Sequence, residues 1–257
     1  MNKSERLTIL SAEENLVFYG LPDFDDEQRV RYFTFDENEL DLIFRCKEFH
    51  AQVYCAIQIG YFKAKNMFFK FQLNRIPKED VHFLLNQYFN NKQLASFNIT
   101  KNAYYFQQKE ICRLFGYTLW ANPDLAIVAE QSNKIVRKDA TPKFILNELF
   151  AFLKKQKIVR PGYTTLQTIV SKTLVNEKNR IKKCLDIHLK DEYKKQFQDL
   201  IKSDSTLIEL ASLKQDAKNF KFTQMDLEIK KHTLLKSFYN IAQNIILQLG
   251  ISEQNIT

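Results

Sequence analysis

A chain of 257 residues with 45% apolar composition and 22 Phe carries enough hydrophobic material for one large or two modest cores, which excludes a disordered class. Only 5 Gly and 5 Pro interrupt it, and no regular train of alternating strands is visible, so a mainly helical class is expected. The net charge of +8 favours a polyanionic partner, while the lack of an apolar signal core or of a run of about 18 apolar residues argues against secretion and membrane spans and for a cytoplasmic protein.

Taken in chain order, Ser11 to Glu14 has capping-box spacing and predicts a short helix that stops near Gly20 and Pro22. The acids from Asp23 to Glu27 suit the positive end of a next helix, and Thr34 to Glu37 repeats the capping pattern before Leu40, Ile43 and Phe44. From Glu48 to about Lys65, Val53, Ala56, Ile57, Gly60 and Tyr61 recur at helical spacing. Lys63, Lys65, Lys70 and Arg75 then interleave with Phe62, Phe68, Phe69 and Phe71, a mixture that grips nucleic acid in some proteins and lines cores in many others.

Pro77 suits a helix start, and the stripe from Val81 to Phe89 ends near Asn90 and Asn91. Thr100 caps a helix from about Lys101 to Leu114 that closes at Gly116, Pro123 begins another that runs into Lys138, and Thr141-Pro142 starts a third through Leu153. A further helix is predicted to begin after Pro161 and Gly162, capped by Tyr163, Thr164 or Thr165. Beyond it, Asp191 to about Ile201 and Thr206 to about Lys214 read as short helices. A long amphipathic helix starts at Thr223, with Met225, Leu227, Leu234, Leu235, Phe238, Ile241 and Leu249 before Gly250. It packs on its own domain or serves as an exposed docking or self-association helix.

The helix after Gly162 carries the most informative pattern. Leu166, Ile169, Val170, Leu174, Ile181 and Leu185 fall on one side, and Thr165, Thr168, Lys172, Asn176, Asn179 and Lys183 on the other, a face without acids. Hydroxyls, amides and ammonium groups are the types that bond phosphates and base edges, although an ordinary solvated face has the same look. Glu177 falls near the apolar side and predicts a kink or an early end. Residues 134–195 hold 16 Lys and Arg against 6 Asp and Glu, so the positive charge is concentrated around this helix. A helix, a short basic connection and a polar-faced helix form a helix-turn-helix layout, with a connection longer than that of the tight motif.

Cys46, Cys55, Cys112 and Cys184 form no CxxC pair, and His50, His82, His188 and His232 are scattered. No metal, cofactor or disulfide framework is therefore expected. The acids at helix starts have no companion cluster, so no acid–base site is assigned to them.

Five stretches carry a resemblance. Leu10-Ser-Ala-Glu-Glu14, Tyr19-Gly-Leu-Pro22, Arg31-Tyr-Phe-Thr34, Gln58-Ile-Gly-Tyr-Phe-Lys-Ala64 and Arg160-Pro-Gly-Tyr-Thr-Thr-Leu166 lie in order over about Leu7 to Leu200. Together they resemble the N-terminal region of transposases of the Tn-three family, the large enzymes of replicative bacterial transposons. The resemblance implies a helical region that recognises the terminal inverted repeats as double-stranded DNA. It also implies that the catalytic carboxylates lie in a ribonuclease-H-like domain beyond this region, so no transposase chemistry is expected up to Thr257. One stretch departs from the family pattern: where Arg and His are expected, residues 102–109 read Asn-Ala-Tyr-Tyr-Phe-Gln-Gln-Lys, leaving Lys101, Lys109 and Arg113 as the basic groups.

The resulting expectation is an all-α chain of two tandem helix-turn-helix-like DNA-binding modules, residues 1–138 and 139–202, followed by a helical segment 203–257. Lys154, Lys155, Lys157, Arg160, Lys182 and Lys183 are expected to hold phosphates. Tyr163, Thr164, Thr165, Thr168, Lys172, Asn176 and Asn179 are expected to line the groove contact, with Lys63, Lys65 and Arg75 as a second DNA-binding group. The competing expectation is a helical module whose basic patch meets an acidic protein.

Overall fold

The computed structural model describes residues 7–96, 98–189, 191, 194–195, 219 and 221–250. Among them the chain is all-helical, with one isolated parallel bridge between Thr118 and Ile158 and no strand. The short helices expected near 191–201 and 206–214 lie outside the described residues, apart from a few positions near 191.

Three short helices open the chain: α1 (Ala12–Tyr19), α2 (Asp26–Phe33) and α3 (Glu37–Phe44). Each starts with a complete capping box, formed by Ser11 with Glu14, Asp25 with Gln28 and Asp36 with Glu39. Two otherwise unpaired donors at each helix start are thereby satisfied. The third box differs from the expected Thr34–Glu37 pair. Thr34 instead ends α2, its hydroxyl donating to the Val30 carbonyl at 2.6 Å, because Asp36 is the stronger acceptor and has an acid three residues on.

Helix α4 (Phe49–Lys65) is the centre of the first core, buried continuously from Val53 to Phe62. A helix apolar on nearly every side has to be surrounded, and α2, α3, α5 (Lys78–Tyr88) and α6 (Lys101–Phe115) all pack on it. Gly60 sets the closest approach: a Cβ there would lie 2.2 Å from Cε1 of Phe33, a fully buried ring of α2. Each large side chain buried in this layer contributes about 1.5–3 kcal/mol relative to exposure. Thr100 caps α6, and Gly116 ends it in the left-handed conformation at φ 68°.

Two more helices, α7 (Asn122–Ile135) and α8 (Pro142–Lys155), pack as a pair. Helix α9 (Tyr163–His188) follows, and α10 (Phe222–Leu249) comes last. By contacts the chain forms two compact units, Met1–Ile135 with Thr141–Lys172 and Val136–Ala140 with Thr173–Thr257. The expected break at 138 thus differs from the contacts, which group α8 and the first turns of α9 with the N-terminal helices.

Candidate nucleic-acid interface

The start of α9 is held from several directions within the first unit. Lys157, at φ 55°, turns the chain sharply after α8. The backbone of the connection then pairs with two distant loops: Thr118 N–H donates to the Lys157 carbonyl at 2.8 Å, Val159 N–H to Thr118 at 2.9 Å, and Arg160 N–H to Asn66 at 2.9 Å. The Tyr117 hydroxyl donates to Asn66 Oδ1 at 2.9 Å, joining those two loops to each other. On α9 itself, the Tyr163 hydroxyl accepts from the Ile9 and Leu10 amides at 3.1 and 3.3 Å, and Gln167 Nε2 donates to the Leu7 carbonyl at 2.7 Å. Loops fixed by backbone hydrogen bonds open more rarely than solvated ones, so the helix entry is rigid.

These contacts decide which side of α9 meets solvent. In its first turns Leu166, Gln167, Ile169 and Val170 are buried, while Thr164, Thr168 and Lys172 are exposed. Thr165, expected on the outer face, is half-buried, and Tyr163 supports the N-terminal segment. Thr168 is exposed, but its hydroxyl donates to the Thr164 carbonyl at 2.8 Å.

In the part of α9 that belongs to the second unit, Asn176, Asn179, Lys182 and Lys183 are exposed, and so is Lys178. Sequence reasoning passed over Lys178, although its place between two groove candidates was signal enough. Glu177 does not kink or end the helix. It is buried, and Arg180 closes on it from one turn ahead with Nε and Nη2 at 2.8 and 2.6 Å. This bidentate contact raises the Arg180 pKa above its ordinary value. Because Glu177 is the one acid between Thr164 and Lys183, the solvent side of this stretch presents hydroxyls, amides and cations, with the exposed Val175 among them and no free acid.

The expected phosphate contacts divide in two. Lys154 and Lys155 are exposed in the last turn of α8, where the negative end of the helix favours cations. Lys157 is exposed with its ammonium 4.8 Å from the centre of the Tyr117 ring. Arg160 is different. Its guanidinium lies over Phe150, Nη1 donates to the Phe18 carbonyl at 3.3 Å, and burial lowers its pKa. It fastens α1 to α8 and the connection instead of pointing to solvent.

The second expected group is mostly occupied as well. Lys63 pairs with the buried Glu39 at 2.7 Å and donates to the Thr34 carbonyl at 3.0 Å. Lys65 donates to the Val17 carbonyl, and burial lowers its pKa. Both therefore join helices. Arg75 is exposed on the 3₁₀ turn Leu73–Arg75.

Asp80 is fully buried, with Arg29 Nε on one oxygen and the Tyr61 hydroxyl on the other, both at 2.9 Å. Among the described residues no group of three His, Cys, Asp or Glu is placed to hold a metal ion, and no helix is long and apolar enough to cross a membrane.

The described residues form an all-helical chain in which the N-terminal helices and loops hold the start of α9. The chain belongs to the family described as Domain of unknown function (DUF4158), which matches residues 9–173. It is also 19% identical over 196 residues to the transposase for transposon Tn1546 of Enterococcus faecium. That alignment takes in 76% of this chain and 20% of the relative, so the chain spans about one fifth of the length of the curated protein it matches. The similarity relates this chain to a transposase.

Proposed function

We propose that this chain binds double-stranded DNA at transposon ends, as the N-terminal recognition region of a Tn-three family transposase, and leaves catalysis to a separate domain. The observation that carries the reading is the solvent side of α9 from Thr164 to Lys183, which offers donors and cations and no free acid. A helix with this inventory suits the major groove, where its amides meet base edges and flanking ammonium groups meet phosphates. Lys154, Lys155, Lys157, Lys172, Lys182 and Lys183 are the exposed cations assigned to the backbone. Arg160, Lys63 and Lys65 are left out because their side chains already serve the fold.

A gel-shift titration with cognate inverted repeat and with scrambled duplex tests this. Six phosphate contacts weaken binding by about a thousandfold between about 50 and about 200 mM salt. The inverted repeat is expected to bind at least about a hundredfold tighter than scrambled duplex. No shift at low salt transfers the basic surface to the second reading, a helical module for an acidic protein. That reading, with self-association through α10, draws on the exposed Phe222, Ile229 and Leu247 of the last helix.

A further inference from the structure

Three cations share one cavity of about 460 Å³ in the first unit: Lys70 in the loop after α4, Arg75 on the 3₁₀ turn, and the sequence-distant Lys101 in the first turn of α6. All three are exposed, and no acid lines the cavity among the described residues. Like charges gathered without a counter-charge repel one another, so the site favours an anion. Apart from the aromatic residues, the rest of the lining is polar except for Ile99. Thr100 and the amides of Gln72 and Asn98 are part of it. Thr100 caps the 15-residue α6 by accepting from Ala103 N–H, which leaves the first amides of that helix as donors on the same side.

The floor is aromatic. Tyr54 stacks on Phe71 with ring centres 4.3 Å apart, and Tyr104 meets Tyr54 edge-on at 6.4 Å. The Tyr54 hydroxyl donates to the Phe69 carbonyl and the Tyr104 hydroxyl accepts from Gln108, and both buried residues line the cavity together with the half-buried Phe71. Lys70 already sits 5.8 Å from the centre of the Tyr104 ring, beside the floor and at the cationic rim. The volume falls within the range of about 300–1,000 Å³ found for small-molecule sites. A cationic rim over an aromatic floor is the pairing that holds unpaired bases, one part for the phosphate and the other for the ring.

We propose that this cavity holds one unpaired nucleotide of a DNA strand, its phosphate between Lys70, Arg75 and Lys101 and its base against the Phe71 and Tyr104 side. The choice of a nucleotide as the phosphate-bearing ligand rests on the DNA-binding reading above; no residue of α9 lines the cavity.

The test uses the whole chain and fluorescence anisotropy with a labelled thymidine oligonucleotide of about ten nucleotides, within the span of about 4–16 typical of single-strand sites. Arg75→Ala and Lys101→Ala are each expected to weaken binding about tenfold and to lower the slope of log affinity against log salt by about 0.7. Phe71→Leu is expected to weaken binding and leave that slope unchanged. Lys109→Ala, exposed on α6 outside the cavity, serves as the control and is expected to match the parent chain. Absence of single-strand binding overturns the proposal, and so does binding that ignores Arg75→Ala and Lys101→Ala. Displacement by inorganic phosphate as readily as by thymidine monophosphate overturns the nucleotide assignment. A duplex arm keeps the two proposals apart: Lys183→Ala is expected to weaken duplex and spare the oligonucleotide, and a chain that binds the oligonucleotide but no duplex retains this site and loses the function proposed above.

Discussion

The guanidinium carbon of Arg160 lies 4.1 Å from the centre of the Phe150 ring. A cation this close to a ring face and partly removed from water contributes about 1–2 kcal/mol, and its aliphatic stem adds packing. Arg160→Ala is therefore expected to lower stability by about 1–3 kcal/mol in urea unfolding while leaving the salt slope of DNA binding unchanged. A variant of native stability with a shallower slope would return Arg160 to the phosphate contacts.

Base reading and phosphate grip separate along α9. Lys183→Ala is expected to weaken cognate and random duplex equally and to reduce the salt slope by about 0.9, since every sequence carries the same phosphates. Asn176→Ala is expected to cost about 1–3 kcal/mol on cognate DNA and little on random DNA, because an amide pairs with adenine through two hydrogen bonds. Thr168→Ala has the smaller expected effect, its hydroxyl being bonded to the Thr164 carbonyl. Cognate affinity unchanged in Asn176→Ala, with helicity intact by circular dichroism, would make the face solvated surface.

At Gly60 the absence of a side chain is a packing requirement. A methyl group would sit 2.2 and 2.3 Å from two carbons of the Phe33 ring, which is fully buried and has no room to retreat. Gly60→Ala is expected to destabilise by about 1–3 kcal/mol from overpacking, outweighing the gain of up to about 1 kcal/mol in helix propensity. A raised midpoint in thermal unfolding would contradict this.

Asp80 supplies a pH signature. Burial raises its pKa above 3.8, and the hydrogen bonds from Arg29 and Tyr61 offset this only in part. The folded state then holds the proton more tightly than the unfolded chain, so this group's contribution to stability falls as pH rises from 3.8 through the raised folded value. Asp80→Asn removes that titration and keeps a side chain of the same shape. Relative to the parent chain, the variant's unfolding midpoint in urea is expected to improve with pH across that window and to level off above it. A difference that grows steadily worse for the variant across the window would mean that pairing with Arg29 dominates.

Much of the helical framework was legible in the sequence because helix ends are decided by residues three or four apart. Ser11 with Glu14, Thr100 with Ala103, and the left-handed glycines Gly116 and Gly250 each act over one turn. The same reach explains the near miss at Thr34, where two candidate caps lie two residues apart and the better acceptor starts the helix. The acid-free side of α9 was visible for the same reason. The Glu177–Arg180 pair that keeps it acid-free is itself a one-turn contact that the spacing already contained.

Which cations are free to meet a ligand was decided only by the tertiary structure. Arg160 read as a phosphate contact and Lys63 and Lys65 as part of a second DNA-binding group, yet their partners Phe18, Glu39 and Val17 come from segments 142, 24 and 48 residues away. Lys70 and Arg75 read as one stretch with Lys63 and Lys65, and Lys101 joins Lys70 and Arg75 only when the packing of α4 and α6 closes one cavity around the three. A one-turn hydrogen bond depends on the order of residues along the chain, whereas burial and charge pairing depend on which surfaces the core brings together, and side-chain periodicity does not record that.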